Sequence, residues 1–196
     1  MKEQYDEVLN LTKMTFKVLG INGFKPQIHQ SLNWVKWVTN FTINTCLFCS
    51  IRNGKIYDKD NTDEIKPPVH ENCACFLDKL LTIIAGTATI DGIDGADYWI
   101  RQYNELPNNY ISRENAREKG WNNIYGNLRS VIPDATIGGN YYGNRDGKLP
   151  SSPGRIWYEA DINYNGEYRN SHRLLYSNDG LIFVTYDHYT TFYEIG

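Results

Sequence analysis

The stretch IWYEADINYNGEYRNSHRLLYSNDGLIFVT, residues 156–185, decides the fold class. Within it Ile156–Ile162, Ser171–Ser177 and Leu181–Thr185 are rich in Tyr, Ile, Phe and Val, read with a period of two, and are separated by Gly/Asn/Asp turn clusters. Working outward, Thr136–Tyr141 and Thr191–Glu194 carry the same pattern on either side. Upstream the period changes to that of helices, near Ala96–Tyr103, Arg113–Lys119 and Asn127–Val131, with Ser112 positioned to N-cap the second. Helices followed by five strands predict an α+β domain with an antiparallel sheet.

Before this domain the pattern differs. Residues 3–19 space Tyr5, Val8, Leu9, Leu11, Met14, Val18 and Leu19 mostly as a helix that Gly20 would end. Pro26 opens a second helical reading through Ile28, Leu32, Val35 and Val38, with Trp34 and Trp37 as packing groups. From Thr45 to Cys75 come turns, among them Asn53-Gly54 between two short β-like runs, and Pro67-Pro68. Phe76–Ile84 reads as a further helix. The small residues of Ala85-Gly-Thr-Ala-Thr mark the boundary, giving a helical, cysteine-containing domain over 1–85 and a second domain over 86–196.

With 41% hydrophobic and 22% charged residues, 196 residues have ordinary globular composition. No run of about 18 apolar residues exists to cross a membrane, and MKEQYDEVLNLTK lacks the order of a signal peptide. The first 90 residues hold 10 Lys/Arg and 9 Asp/Glu, leaving 10 and 14 of the totals of 20 and 23 for the rest. A net charge of −3 therefore excludes a broad basic surface, and any nucleic-acid contact has to be local.

Three successive β-like segments supply the groups that metal-free cleavage of RNA requires. A base must take the 2′-hydroxyl proton, an acid must protonate the leaving 5′-oxygen, and cations must stabilise charge at phosphorus. Glu159, Arg169, Arg173 and His188 are candidates on neighbouring strands. By residue type alone such a set is more often surface or satisfied polar groups, and His172 is as available as His188.

Order and spacing go further. ADYWIRQYNELPNNYIS from Ala96, Gly120-Trp121, Gly126-Asn127-Leu128, SVIPDATIGGN from Ser130, NRDGKLP from Asn144, GRIWYEADINY from Gly154, YRNSHRLLYSNDGLI from Tyr168 and DHYTTFYEI from Asp187 follow in this order through Ala96–Gly196. In this run the chain resembles barnase and its relatives, a family of guanyl-preferring endoribonucleases. The resemblance implies helices packed on a five-stranded antiparallel sheet, and cleavage of single-stranded RNA through a 2′,3′-cyclic phosphate without a cofactor. It implies Glu159 as general base, His188 as general acid, Arg169 and Arg173 on the scissile phosphate, and Tyr189 beside the substrate. It likewise implies that Asn144, Arg145 and Asp146 belong to a guanine-recognition loop, and that a barstar-like inhibitor is the partner. Three positions depart from the family pattern. Arg113 stands where a lysine is usual, Asn140 where the GGD turn has aspartate, and Asp146 where the loop has glutamate.

All four cysteines lie in the first half: Cys46 and Cys49 as CxxC, then His70, Cys73 and Cys75 in HENCAC. Two clusters of this kind resemble a structural zinc arrangement, with His70, Cys73 and Cys75 as alternatives for the last ligands. Two disulfides or free thiols are the other readings. Residues 40–76 also resemble the cysteine-containing end of phage Mu F-type minor head proteins, segments that occur fused to toxin domains. That implies a polymorphic toxin, cytoplasmic until it is secreted or delivered without a signal peptide into a target-cell cytoplasm. The competing expectation is a phage-head or secretion-associated structural protein with a zinc segment.

Overall fold

The computed structural model describes residues 26–41, 45–61 and 66–196. The helix expected over residues 3–19 lies outside them. Two compact units emerge, one containing Ile83–Tyr142 and Ile156–Gly196, the other His29–Thr82 and Gly143–Arg155.

In the first unit the strands are β4 (Tyr110–Ile111), β5 (Thr136–Tyr142), β6 (Trp157–Asp161), β7 (Arg173–Ser177), β8 (Ile182–Thr185) and β9 (Tyr193–Ile195). They lie side by side in the order β9-β8-β7-β6-β5-β4. Strands β5 to β9 pair antiparallel, as the period-two segments predict, and β4 adds a short parallel edge through Tyr110↔Thr136. The expected helices also form, as Ala96–Tyr103, Arg113–Glu118 and Leu128–Val131. The Ser112 side chain accepts the Asn115 N–H at 3.1 Å, satisfying one of the unpaired donors at the start of the second.

Apolar alternation decides how these layers join. Ala96 and Ile100 of the first helix pack with Ala160, Leu174, Ile182 and Val184 from the sheet. Ala116, Trp121, Leu128, Ile137 and Tyr164 form a second cluster. Burying each large side chain contributes about 1.5–3 kcal/mol, so these clusters outweigh any single polar contact. A bulge interrupts β5 between Gly138 and Asn140 and brings Asn140 opposite Glu159 of β6. Gly138 is required there, because a Cβ would collide with the Tyr110 ring and with the Ala160 Cβ.

The second unit departs from expectation. Ile28–Val38 is strand β1, not a helix, and pairs antiparallel with β2 (Ile56–Asp58) through Trp34↔Asp58, Val35↔Tyr57 and Lys36↔Ile56. Phe76–Ile83 is likewise strand β3, on the other side of β1. The reason is chemical. WVKWV is β-branched and aromatic, with Trp37 fully enclosed, whereas Leu32, which the helical spacing needs inside, is 81% exposed. In β3 the side chains of Leu80 and Thr82 are buried two residues apart. The only α-helix in this unit among the described residues is the short Leu47–Ser50, joined by one 3-10 turn at Lys59–Asn61, so the expected small helical domain is instead built on strands. The Asn53-Gly54 turn forms as expected, with Gly54 at φ +79°, but the segment before it is that helix and not a strand.

Candidate active site

Glu159 of β6 is only 4% exposed, and both its oxygens are engaged. Oε1 accepts from the Arg113 guanidinium, and Oε2 accepts the Tyr189 hydroxyl at 2.6 Å. Arg113 reaches this point because its helix starts beside the β5 bulge, where its N–H donates to Asn140 Oδ1 at 2.9 Å. Burial, with Arg169 close by, lowers the pKa of Arg113 below the usual guanidinium range.

The other two arginines share one carboxylate. Arg169 forks onto Asp161 with Nε at 2.6 Å from Oδ2 and Nη2 at 2.7 Å from Oδ1. Arg173 Nε lies 3.1 Å from Asp161 Oδ1, and its Nη1 donates to the His172 carbonyl at 2.7 Å. Asp161 is itself 2% exposed. Sequence reasoning did not single it out. The signal was present: Glu159 and Asp161 are two residues apart on one strand and so share a face.

A cavity of about 390 Å³ opens beside these arginines, lined by Arg169, Arg173 and His188 together with Ser171, Asn170, Tyr168 and Asn123. His188 is exposed there, held at φ +55° with its N–H on the Ser171 carbonyl, and its ring lies against Tyr189 at 4.9 Å. Tyr189 in turn stacks on Tyr142. The two histidines that composition could not rank are therefore different in kind. His172 is enclosed against Tyr186 with Nδ1 3.4 Å from the Asn163 amide, and burial, then Arg173, pushes its pKa down to about 4.

A family model described as ribonuclease matches residues 95–196, just over half of the chain. The chain belongs to the ribonuclease family, of the barnase type. This ribonuclease is 52% identical over 156 residues to a Bacillus pumilus ribonuclease, covering 79% of this chain and 95% of that one. It is also 52% identical over 107 residues, or 55% of its length, to ribonucleases of Heyndrickxia coagulans and Bacillus intermedius, covering 95% and 64% of them. The activity that goes with the family is endonucleolytic cleavage of RNA. No helix among the described residues is long and apolar enough to cross a membrane.

Asn144, Arg145 and Asp146 of the ribonuclease lie in the second compact unit, on the segment Gly143–Arg155. Arg145 and Asp146 are exposed. Asn144 closes the loop on itself: its amide donates to the Leu149 carbonyl at 2.8 Å and accepts the Leu149 N–H at 3.1 Å. Asn144 tolerates the φ of +43° that this turn needs.

The thiols of the same unit converge. Cys46 Sγ and Cys49 Sγ lie 3.2 and 3.1 Å from His70 Nε2, and Cys49 Sγ lies 3.8 Å from Cys73 Sγ. The ligand atoms of Cys49, Cys73 and Cys75 are also within 4.8 Å of one another. A sulfur separation of 3.8 Å is far beyond a disulfide bond of about 2.05 Å. It equals the edge of a tetrahedron with metal–sulfur bonds of about 2.3 Å, so the donor set fits zinc. His70 Nδ1 meets the Glu71 carbonyl at 2.8 Å, the outer contact that fixes a ligating imidazole. Cys75 Sγ also donates to Thr39 Oγ1 at 3.7 Å. Cys46, Cys49 and His70 form one close group and Cys49, Cys73 and Cys75 another, so Cys49 is common to both and Cys73 and Cys75 are alternatives for the last position.

Proposed function

We propose that the chain cleaves single-stranded RNA on the 3′ side of guanine by metal-independent transesterification, followed by hydrolysis of the 2′,3′-cyclic phosphate. Glu159, oriented by Arg113 and Tyr189, takes the 2′-hydroxyl proton. His188 protonates the leaving 5′-oxygen, and the roles reverse in the second stage. Arg169 and Arg173, braced by Asp161, present fixed guanidinium donors to the phosphate, where charge develops in the transition state. Asn140 holds the start of the Arg113 helix. The observation that carries this reading is the division of labour: an enclosed, doubly oriented carboxylate, and an exposed imidazole on a cavity with two arginines.

Base selection falls to the loop with Asn144, Arg145 and Asp146. A carboxylate that accepts from guanine N1–H and N2–H₂ is left unpaired by adenine. The deciding assay uses GpA dinucleotide in excess EDTA. Wild type yields guanosine 2′,3′-cyclic phosphate, and Glu159→Ala and His188→Ala each lose about 10²–10⁴-fold in kcat. Inactive wild type, or undiminished variants, would sink the assignment.

The same reading covers the rest of the chain. Zinc held by Cys46, Cys49, His70 and Cys73, with Cys75 as the alternative thiolate, is structural and takes no part in the reaction. The Mu F-like segment and the nuclease together support a toxin that is cytoplasmic until secreted or delivered into another cell's cytoplasm, and such an enzyme needs an inhibitor in its producer. An acidic, barstar-like immunity protein would meet Arg113, Arg145, Arg169, Arg173 and His188 through charge complementarity. Normal growth of a strain expressing active chain with no immunity gene would count against the toxin role.

A further inference from the structure

The thiol cluster and the loop proposed to select the base belong to one compact unit, and a short hydrogen-bonded path joins them. It begins at Cys49, whose carbonyl accepts the Thr39 hydroxyl at 2.8 Å and the Arg52 N–H at 3.2 Å. Thr39 N–H donates to Asn53 Oδ1 at 2.9 Å, which fastens the turn after the knuckle to the end of β1. Trp37, fully enclosed, then trades backbone bonds with Gly54 and Lys55, both at 2.9 Å. The next residue, Ile56, opens β2 and donates its N–H to the Lys148 carbonyl at 2.8 Å. Lys148 sits inside the loop that Asn144 closes.

We propose that residues Cys49–Ile56 are a tether through which the thiol cluster fixes the loop Asn144–Leu149, so that selection of guanine depends on the cluster being ordered. This rests on the reading of that loop as the base-selecting one. The physical basis is the entropy of a short loop. Its backbone has to hold donors in one arrangement before a base arrives, and an external bond at Lys148 limits the arrangements that Asn144 alone would permit. With the knuckle loosened, Ile56 is no longer pinned seven residues from Cys49, and the loop samples conformations that do not match guanine. Ile56, Thr39 and Trp37 are positioning residues, since they touch neither the phosphate nor the base.

The test uses the full chain and two substrates, GpA and ApA, measuring kcat and KM separately. Ile56→Pro deletes the N–H on Lys148, with Ile56→Val as the control that restores it. Thr39→Val is a gentler cut at the other end, for the case in which the proline variant does not fold. The third perturbation is removal of bound metal by a chelator, then addition of zinc alone. Each perturbation is expected to raise KM for GpA, by about tenfold for Ile56→Pro and about threefold for Thr39→Val, with kcat and the ApA parameters unchanged. Zinc restores the stripped protein, and hydrogen exchange in 144–149 rises and falls with that in 56–58. Equal changes for both dinucleotides, or an unchanged GpA KM in folded variants, overturn the tether. Asp146→Asn separates the two failures. If it leaves the GpA/ApA ratio intact, the base-loop reading is wrong and the tether falls with it; if it collapses the ratio while the tether variants do not, only the tether fails.

Discussion

The unit containing β4 to β9 encloses two apolar clusters between helices and sheet, whereas the unit with β1 to β3 buries Trp34, Val35, Trp37, Cys49, Ile56, Leu80 and Leu149 and leaves Leu32, Phe41, Leu47, Ile51 and Phe76 in contact with solvent. The first can pay for its buried charges out of its own core. The second buries few apolar side chains among its described residues, and its chemistry is concentrated in one cluster of thiols and an imidazole. Small units of this kind generally need a staple. Core-held and cluster-held structure should therefore respond to different perturbations, with catalysis belonging to the first.

The largest separation is expected from Glu159→Ala. It should reduce kcat on GpA by about 10³-fold while leaving any zinc content at its wild-type value, since the proposed base lies outside the thiol-bearing unit. A variant that loses metal along with activity would show that the units are not chemically independent. Next comes Asp161→Asn. It keeps the shape of the side chain but leaves Arg169 and Arg173 without their shared counter-charge, and should cost about 3 kcal/mol in urea unfolding because all three groups are largely enclosed. A smaller loss is expected from Cys49→Ser, which removes the central thiol of the cluster. Calorimetry should then resolve a separate transition for the cluster-held unit, displaced downward by roughly 10 °C, while the core-held transition stays in place.

Legibility from sequence follows the same division. In the core-held unit each element carries its own signal: Ser112 caps, the strands alternate, and Gly/Asn/Asp clusters break them, so local preference and final fold agree. Residues 28–38 allow a helical reading of their apolar spacing; the β-branched and aromatic WVKWV favours a strand, and the partners that complete it, β2 and β3, lie some twenty and forty residues on. Glu159 and His188 could be singled out because they stand at recognisable positions in the WYEADINY and YDHYTTF stretches. Asp161 carried only the signal of sharing a face with Glu159, and what it does there follows from the two arginines around it. Asn144 was legible as part of a loop, but its role in closing that loop on Leu149 depends on backbone atoms that no sequence motif specifies.

A last comparison distinguishes the two histidines within the core-held unit. His172 titrates at about 4 in the folded chain against an ordinary 6.5, because burial, reinforced by Arg173, opposes its charged form. Between those values the unfolded chain binds the proton and the folded chain does not. The slope of unfolding free energy with pH is then positive, so the contribution of His172 is fully present above about 6.5 and is lost as pH falls toward 4. Replacing it by Gln removes the titration while keeping a polar group near Asn163. Urea midpoints measured at pH 7 and pH 4.5 should fall further for wild type than for His172→Gln, even if the variant is less stable at both. Parallel curves would mean that the imidazole is not enclosed as described, and the physical ground for ranking His188 above His172 would be gone.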